Sequence, residues 1–247
     1  MNNEYTLITG ASSGIGAQVA ILLSHKYNIV LNGRDDERLN NVKNRCSKGD
    51  HRIWKYDFKG VNDVETALST FISENDIKIS YFVHCAGMMK NVPVKMFTTE
   101  LFADTFNTNV VAAAMVMKVL SGKRPNDKTL KSAVFISSNI SNFGAKAHSV
   151  YGASKAALDG LMRSLAMELA PNVRINSVLP GGIKTAMTAH IFEDENFVKN
   201  MESSYPLGLG NTADIASVVE FLLSENSKWM TGQQIVVDGG RTVNLTV

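Results

Sequence analysis

The sequence has few of the residues that stabilise small secreted folds or bind structural metal ions. Only two of its 247 residues are cysteines, Cys46 and Cys85. Two cysteines are too few for a disulfide framework or a four-ligand zinc site. The formal net charge is only +2 at pH 7, which is too small to indicate binding of nucleic acid or of a membrane surface. The composition therefore predicts a protein of a reducing compartment without a metal site.

Long apolar runs are also missing. The longest spans residues 110–117 and contains eight residues, whereas a membrane-spanning helix needs about 20. Residues 1–4 lead almost at once into a predicted strand, so we expect no signal peptide. We therefore expect a soluble, cytoplasmic protein. With 45% hydrophobic and 19% charged residues, the chain is long enough to bury one sizeable core.

Short apolar, β-branched segments alternate with segments of helical periodicity along the whole chain. The predicted strands are residues 5–9, 28–32, 51–57, 79–85, 133–136, 174–179 and 234–237. Helical patterns follow most of them, including residues 61–72, 102–120, 150–169 and 214–223. This alternation predicts an α/β fold, a Rossmann-type doubly wound parallel sheet of about seven strands with helices on both faces. We expect one domain over residues 1–247, with its site at the carboxyl ends of the strands.

A glycine-rich turn follows the first predicted strand and precedes a helix. Glycines at such a turn let the backbone bend tightly and let a pyrophosphate approach the helix N-terminus, where unpaired N–H groups favour anions. A lone pattern of this kind is weak, but its place between a first strand and a first helix makes it strong evidence for a dinucleotide. The expected binding residues here are Gly10, Ser12, Ser13, Gly14, Ile15 and Gly16.

The residues after the second predicted strand bear on the choice of nucleotide. An acidic residue directly after this strand binds a ribose 2′-hydroxyl and repels a 2′-phosphate, but Gly33 stands there and Arg34 follows. A guanidinium can grip a phosphate in bidentate fashion, so NADP(H) is favoured over NAD(H). The alternative is that Arg34 is solvated and Asp35 caps the next helix. Asp57 is expected to bind the adenine edge or to cap a turn, and Ala86 and Gly87 to let backbone pass close to a ribose.

Three side chains with complementary chemistry lie around the fifth predicted strand. Ser138 follows this strand, and Tyr151 and Lys155 are four residues apart on one face of the next helix. A phenol is a poor acid near neutral pH, and an ammonium beside it favours the phenolate, so Lys155 is expected to lower the pKa of Tyr151. A serine hydroxyl can bind the substrate oxygen that the tyrosine protonates. Asn109, on an otherwise apolar helix, either braces that helix or holds a water.

Taken together, these motifs resemble the short-chain dehydrogenase/reductase family, and in particular its 3-oxoacyl-acyl-carrier-protein reductases. The resemblance covers the whole chain and adds the motifs at Pro180, Gly181 and Thr185 and at residues 231–240. It implies that Tyr151 is the general acid/base, that Lys155 lowers its pKa and holds the nicotinamide ribose, and that Ser138 orients the carbonyl. It further implies that Asn109 anchors a relay water, that Ile183 and Thr185 contact the nicotinamide amide, and that the protein is a homotetramer.

Two of the departures from the family pattern bear on the site. The usual Asn-Asn-Ala-Gly after the fourth strand is His84-Cys85-Ala86-Gly87 here, which bears on bracing of the strand more than on chemistry. Carrier-protein reductases tend to have arginines flanking the entrance, whereas the aligned residues here are Thr129 and Asn172. Lys128 and Lys131 are possible substitutes, but docking of an acyl carrier protein has no support in the sequence.

The resulting hypothesis is an NADPH-dependent reductase of a ketone or 3-oxoacyl group. The alternative enzyme is a dehydrogenase that oxidises a sugar, steroid or other secondary alcohol, and a non-catalytic NADP(H)-binding regulator is the alternative of another class. A substrate lid is expected around residues 186–210. The small-molecule pocket is expected to be fairly apolar, bordered by Met88, Met89, Met96, Phe143, His148, Met187 and Phe192.

Overall fold

The computed structural model describes residues 4–185, 188 and 195–243. Strands and helices alternate along these residues, in the order that the apolar patterns predict. The strands are β1 (Glu4–Thr9), β2 (Asn28–Gly33), β3 (Arg52–Lys55), β4 (Lys78–His84), β5 (Ser132–Ile136), β6 (Arg174–Pro180) and β7 (Gln234–Val237). The α-helices of the described residues are α1 (Gly14–Leu23), α2 (Asp36–Lys43), α3 (Val64–Glu74), α4 (Thr99–Phe106), α5 (Ala112–Ser121), α6 (Ser149–Leu169), α7 (Glu195–Ser203) and α8 (Thr212–Leu223).

The seven strands form one parallel sheet in the order β3-β2-β1-β4-β5-β6-β7. The chain moves outward from β1 to β3 and then returns to the middle of the sheet at β4. Connections to the two halves therefore leave β1 and β4 in opposite directions and open a crevice at their carboxyl ends. The prediction of a doubly wound, Rossmann-type sheet is confirmed, and this crevice is where the fold places a ligand.

Each face of the sheet buries its own apolar cluster, because alternate side chains of a strand point to opposite faces. On β4, Phe82 belongs to the cluster that includes residues of α3, α5 and α6, while the next residue, Val83, belongs to the cluster that includes residues of α1, α2 and α8. Both side chains are fully buried. Helices thus cover both faces, and the sheet is held rigidly enough to align the loops at its carboxyl end.

The helix predicted over residues 102–120 is interrupted in the structure. Residues Asn107–Val111 between α4 and α5 form a π-helical segment, in which the Ala112 N–H donates to the carbonyl of Asn107, five residues earlier. A π-segment adds a residue to the helical turn and occurs often at functional sites. The prediction of one continuous helix is therefore wrong, and the interruption falls at Asn109, which the sequence analysis singled out.

Several other boundaries differ from their predictions, most of them by one or two residues. Strand β3 begins at Arg52 instead of His51, because the His51 ring accepts from the Ile29 N–H at 3.0 Å in place of a backbone group, and it ends at Lys55 instead of Asp57. Helix α3 begins at Val64 instead of residue 61. The expected lid at residues 186–210 includes residues 186–187 and 189–194, which lie outside the described residues, whereas Glu195–Ser203 is helical.

Within residues 4–185, 188 and 195–243, no helix combines the length and the apolar character needed to cross a membrane. The same residues contain no cluster of three or more histidine, cysteine, aspartate or glutamate side chains that is arranged to bind a metal ion.

Candidate active site

A cavity of about 890 Å³ opens at the carboxyl edge of the sheet, where the loops after β1, β2, β4, β5 and β6 meet. It contains the residues that the sequence predicts around a dinucleotide. Those lining it are Gly10, Ser12, Ser13, Gly14, Ile15, Gly16, Arg34, Asp57, Ala86, Gly87, Pro180, Gly181, Ile183 and Thr185. Ser138, Tyr151 and Lys155 line the same cavity, whereas Asn109 does not.

The loop after β1 is folded so closely that side chains are excluded from it. A Cβ on Gly16 would lie 2.4 Å from the Gly10 carbonyl oxygen, and one on Gly10 would lie 2.7 Å from the Ala86 nitrogen. Gly10 also has a φ of +63°, which favours glycine. Ser13 precedes α1 without capping it through its side chain, so the first N–H groups of α1 face the cavity with no side-chain acceptor there. This is the arrangement that receives a pyrophosphate.

The end of β2 carries charges of both signs. Asp35 caps α2 by accepting from the Arg38 N–H at 3.1 Å. Arg34 extends its side chain, 70% exposed, into the cavity, with Nη1 4.0 Å from the Asp57 carboxylate. Asp57 also accepts from the Lys59 N–H at 3.1 Å and so caps its turn. Both capping alternatives therefore occur, and the Arg34 side chain is largely solvated while it lines the cavity.

Ser138, Tyr151 and Lys155 come from two adjacent elements. Ser138 follows β5, and its Oγ accepts from the Ile140 N–H at 3.3 Å, which fixes the start of the short 3₁₀ turn Asn139–Ser141. Tyr151 lies in the first turn of α6, and Lys155 lies one turn later. The Lys155 ammonium donates to the Ile136 carbonyl at 2.8 Å and lies 5.8 Å from the centre of the Tyr151 ring. The three groups therefore share one end of the cavity.

Burial controls the protonation of this set. Many protein atoms surround the Tyr151 hydroxyl, and burial raises the pKa of Tyr151 to about 12 against a lowering effect of the Ser138 hydrogen bond. Burial lowers the pKa of Lys155 to about 8, and this lowering is opposed chiefly by attraction to Asp159. The net shift of the Tyr151 pKa is upward, because desolvation of the phenolate outweighs the Ser138 hydrogen bond. The expected lowering of this pKa by Lys155 stays a prediction.

Asn109 lies behind the cavity and is fully buried. Its side-chain oxygen accepts from the Met88 N–H at 2.7 Å, and its amide donates to the Met88 carbonyl at 3.1 Å and to Ser154 Oγ at 2.9 Å. Ser154 in turn donates to the Tyr151 carbonyl at 2.7 Å. The side chain therefore braces the loop after β4 against α6, and its role in anchoring a water stays a prediction.

His84 and Cys85, which replace the usual asparagines, are structural in this chain. His84 Nδ1 lies 2.9 Å from Thr9 Oγ1, which also accepts from the Ala86 N–H at 3.2 Å, so the carboxyl ends of β1 and β4 are joined. Burial and the nearby Lys155 charge lower the pKa of His84 to about 3. Burial raises the pKa of the Cys85 thiol to about 12. A neutral imidazole and a protonated thiol suit packing, as expected for residues outside a metal site.

At the substrate end, Met88, Met89 and His148 line the cavity as predicted. Met96 and Phe143 do not line it and are 61% and 52% exposed, so these two predictions are wrong. Met187 and Phe192 lie outside the described residues.

One further cavity residue, Tyr205, was expected only in the lid segment. Its hydroxyl accepts from the Gly182 N–H at 2.9 Å and so holds the loop after β6. Thr129 and Asn172 precede β5 and β6, at the opposite edge of the sheet, and do not line the cavity. Within this chain neither residue flanks its entrance.

The residues present fit a nicotinamide dinucleotide. Glycines open the backbone beside the N-terminus of α1, and the cavity continues from there to Tyr151. At Gly87 an added Cβ would make only an ordinary contact, 3.5 Å from Lys155 Nζ. It would still narrow the cavity between the helix N-terminus and Tyr151. A long cavity with an anion cradle at one end and an acid/base group at the other matches this cofactor.

Comparison with known proteins agrees with this geometry. The family model described as enoyl-(acyl carrier protein) reductase matches residues 10–242. A 3-oxoacyl-[acyl-carrier-protein] reductase of Mus musculus is 31% identical over 243 residues, covering 97% of this chain and 98% of the relative.

Solved structures extend the comparison to proteins with bound cofactor. A 4-hydroxyisoleucine dehydrogenase complexed with NADH superposes with a TM-score of 0.89 at 26% identity, covering 98% of this chain and 99% of that one. A variant of ElxO with NADPH bound superposes with a TM-score of 0.86 at 27% identity, covering 98% and 99%. Relatives of both cofactor types thus share the fold. The chain belongs to the short-chain dehydrogenase/reductase family and is an NAD(P)-dependent oxidoreductase that acts on alcohols or ketones.

Proposed function

We propose that the protein is an NADPH-dependent reductase that converts a ketone or 3-oxoacyl group to a secondary alcohol, with Tyr151 as the proton donor. The observation that carries the proposal is that Ser138, Tyr151 and Lys155 lie together in the cavity that begins at the glycine cradle. The likeness to a 3-oxoacyl-[acyl-carrier-protein] reductase supports the substrate class.

When bound, the nicotinamide supplies the hydride that reduces the carbonyl carbon. The Ser138 and Tyr151 hydroxyls hold the carbonyl oxygen, where negative charge develops. Tyr151 then donates its proton to that oxygen. The transfer is favourable because an alkoxide is a stronger base than the phenolate of a tyrosine whose pKa is about 12. Lys155, with a pKa of about 8, is largely an ammonium at neutral pH and favours the phenolate that remains.

The preference for NADPH rests on charge at the end of β2. Arg34 and Arg38 line this part of the cavity, and the last residue of β2 is Gly33 instead of an acidic residue. A guanidinium binds a phosphate by two parallel hydrogen bonds and gains little from a bare hydroxyl. Asp57 moderates the effect because it lies 4.0 Å from Arg34.

A dehydrogenase that oxidises a secondary alcohol is the second candidate. The likeness to a 4-hydroxyisoleucine dehydrogenase with NADH supports it, and the same three side chains serve the reverse reaction with Tyr151 as the base. The homotetramer, the cytoplasmic location, the lid and the water-anchoring role of Asn109 remain predictions, and acyl carrier protein is a possible partner without support in this chain.

A screen of ketones, 3-oxoacyl thioesters and secondary alcohols with all four nicotinamide cofactors tests the proposal. For the best substrate, Tyr151→Phe is expected to lower kcat by about 10²- to 10⁴-fold, since the ring stays and the proton donor is lost. Fluorescence titration should show NADPH binding within a few-fold of the unchanged protein.

The matched control is Tyr81→Phe, which removes a buried hydroxyl outside the cavity and should leave kcat unchanged. Near-normal turnover by Tyr151→Phe would overturn the mechanism. Tight NADPH binding without turnover of any compound would favour the non-catalytic regulator, and efficient turnover only in the oxidising direction would favour the dehydrogenase.

A further inference from the structure

Helix α6 carries a buried carboxylate that the mechanism above does not use. Asp159 lies one helical turn after Lys155, on the side of α6 that faces the sheet, and is only 1% exposed. A carboxylate is rarely so deeply buried unless other groups satisfy it, because leaving water costs it several kcal/mol. Its partners therefore indicate what the charge does there.

Both partners of Asp159 come from strand ends and are neutral. Its Oδ2 accepts from Ser137 Oγ at 2.9 Å and from Gln234 Nε2 at 2.8 Å. The Ser137 hydroxyl also lies 3.4 Å from the Lys155 carbonyl. Oδ1 is buried and has no hydrogen-bond partner, and no cation of the described residues forms a salt bridge with Asp159. The charge is held in a fixed place but not neutralised by direct contact.

Lys155 is the buried cation nearest along the helix. It is 4% exposed, and its ammonium has the Ile136 carbonyl as acceptor. The titratable groups around it are Tyr151 and Asp159 on its own helix and His84 and Cys85 at the end of β4. Burial keeps the imidazole, the thiol and the phenol neutral, so the attraction that opposes desolvation of the ammonium comes chiefly from Asp159.

The other buried carboxylate at this edge is already engaged by its own loop. Asp238, after β7, accepts from the Gly240 N–H at 3.1 Å and from the Thr242 N–H at 2.9 Å, and the Asn139 amide lies 3.4 Å from it. Asp159, by contrast, attracts the Lys155 ammonium and raises the pKa of that lysine against the effect of burial.

We propose that Asp159 is a positioning residue for the reaction, a fixed buried counter-charge that keeps Lys155 in its ammonium form and is locked in place by Ser137 and Gln234. The proposal rests on the role of Lys155 in the proposed function. Between buried charges the Coulomb interaction extends beyond direct contact, since little water screens it. Without Asp159, the desolvation that already lowers the pKa of Lys155 to about 8 would act unopposed by a carboxylate, and much of the lysine would be a neutral amine at neutral pH.

The test removes the charge while keeping the shape. In Asp159→Asn the amide oxygen can still accept from Ser137 and Gln234, and the NH₂ group takes the place of the unpartnered Oδ1. Asp159→Glu keeps the charge, and Ser137→Ala keeps the charge but loses one hydrogen bond. Protein carrying lysine labelled with ¹³C at Cε is titrated by NMR from pH 6 to 10, and the Lys155 signal is assigned by its absence in Lys155→Met.

The midpoint of the Lys155 titration is expected to fall by roughly one pH unit in Asp159→Asn. Asp159→Glu and Ser137→Ala should stay within a few tenths of a unit of the unchanged protein. With an accepted substrate, the alkaline limb of kcat/KM should move by the same amount in Asp159→Asn. Because the titration needs no substrate, it decides the role of Asp159 even where the proposed function fails.

An unchanged Lys155 midpoint in folded Asp159→Asn overturns the proposal, as does an equal fall in Asp159→Asn and Ser137→Ala, which would indicate a structural effect. If Asp159→Asn does not fold, the double variant Asp159→Leu and Gln234→Leu removes the charge together with the donor that it would leave unpaired. The same fall in midpoint is then expected, and its absence overturns the proposal.

Discussion

Burial acts on Tyr151 and Lys155 in one way and shifts their pKa values in opposite directions. In both residues it disfavours the charged form, which is the phenolate of Tyr151 and the ammonium of Lys155. The tyrosine is therefore held as a proton donor throughout the physiological range, while the lysine titrates near pH 8. The residue whose charge is sensitive to its surroundings is Lys155, which is why a fixed carboxylate one turn away matters.

Arg34 provides the test of cofactor preference. Arg34→Ala removes the guanidinium that we propose binds a 2′-phosphate, and loss of a charged hydrogen-bonding partner corresponds to about 10- to 100-fold. We expect kcat/KM for NADPH to fall by that factor and the value for NADH to change less than about threefold. Initial-rate kinetics with both cofactors measure it.

Arg52→Ala is the matched control, because Arg52 lies at the amino end of β3 and pairs with Asp50 at 2.8 Å. Arg52→Ala should leave kcat/KM unchanged for both NADPH and NADH. If the unchanged protein prefers NADH, or if Arg34→Ala weakens both cofactors equally, the assignment to NADPH is wrong.

Sequence patterns located residues such as Arg34 and Ser138, because each follows a predicted strand and parallel strands end at the same edge of the sheet. They missed Asp159, although positions 155, 159, 162 and 166 share the face of α6 that packs on the sheet. An acid at such a position is a signal that spacing alone can detect. Its partners, Ser137 and Gln234, lie 22 and 75 residues away, so the contacts that make its burial tolerable cannot be read from local sequence.

At the scale of elements, apolar periodicity predicted the seven strands and most helices but not the break between α4 and α5. A π-segment inserts one residue into a turn, and the apolar positions on either side still fit a continuous helix. The break is explained by a distant contact, since Asn109 turns toward Met88 and Ser154. Only the three-dimensional arrangement shows that the loop after β4 needs this brace.

Asn109→Ala tests the brace. It leaves the part-buried Met88 N–H and carbonyl and the buried Ser154 hydroxyl without their Asn109 partner, and we expect the free energy of unfolding to fall by about 2–4 kcal/mol. The KM for the cofactor should rise, because the loop that carries Ala86 and Gly87 is no longer fixed. Urea unfolding and cofactor titration measure the two effects.

The matched control is Asn107→Ala in the same π-segment, because the Asn107 side chain is only half-buried and makes no hydrogen bond to a described residue. It should cost less than about 1 kcal/mol. An equal fall in the free energy of unfolding of the two variants would show that the π-segment tolerates neither change. The bonds from Asn109 to Met88 would then not explain the loss of stability.

For the whole molecule, the same central strands carry the site and hold the fold together. The two strands at the switch point, β1 and β4, are tied at their carboxyl ends by His84 and Thr9, directly beneath the cavity. The sequence predicted this sheet and its site because each strand carries its own apolar signal. It did not predict that a histidine would be buried there in its neutral form, since desolvation depends on elements that come together only in the fold.

His84 makes the stability of the whole fold depend on pH. The unfolded chain protonates this histidine near its ordinary pKa of 6.5, whereas burial holds the folded value at about 3. Between these values the unfolded state binds more protons, so stability is fully present above pH 6.5 and falls as the pH drops, by up to about 1.4 kcal/mol per pH unit from this residue. Urea unfolding from pH 7 to 4.5 should show a flatter decline of the free energy of unfolding in His84→Gln than in the unchanged protein.

Thr9→Val is the control, since it breaks the same bond without removing the imidazole. It should lower the free energy of unfolding at every pH without changing the slope of its decline. Parallel declines in His84→Gln and the unchanged protein would mean that His84 accepts its proton in the folded state, and that the join between β1 and β4 tolerates a charge.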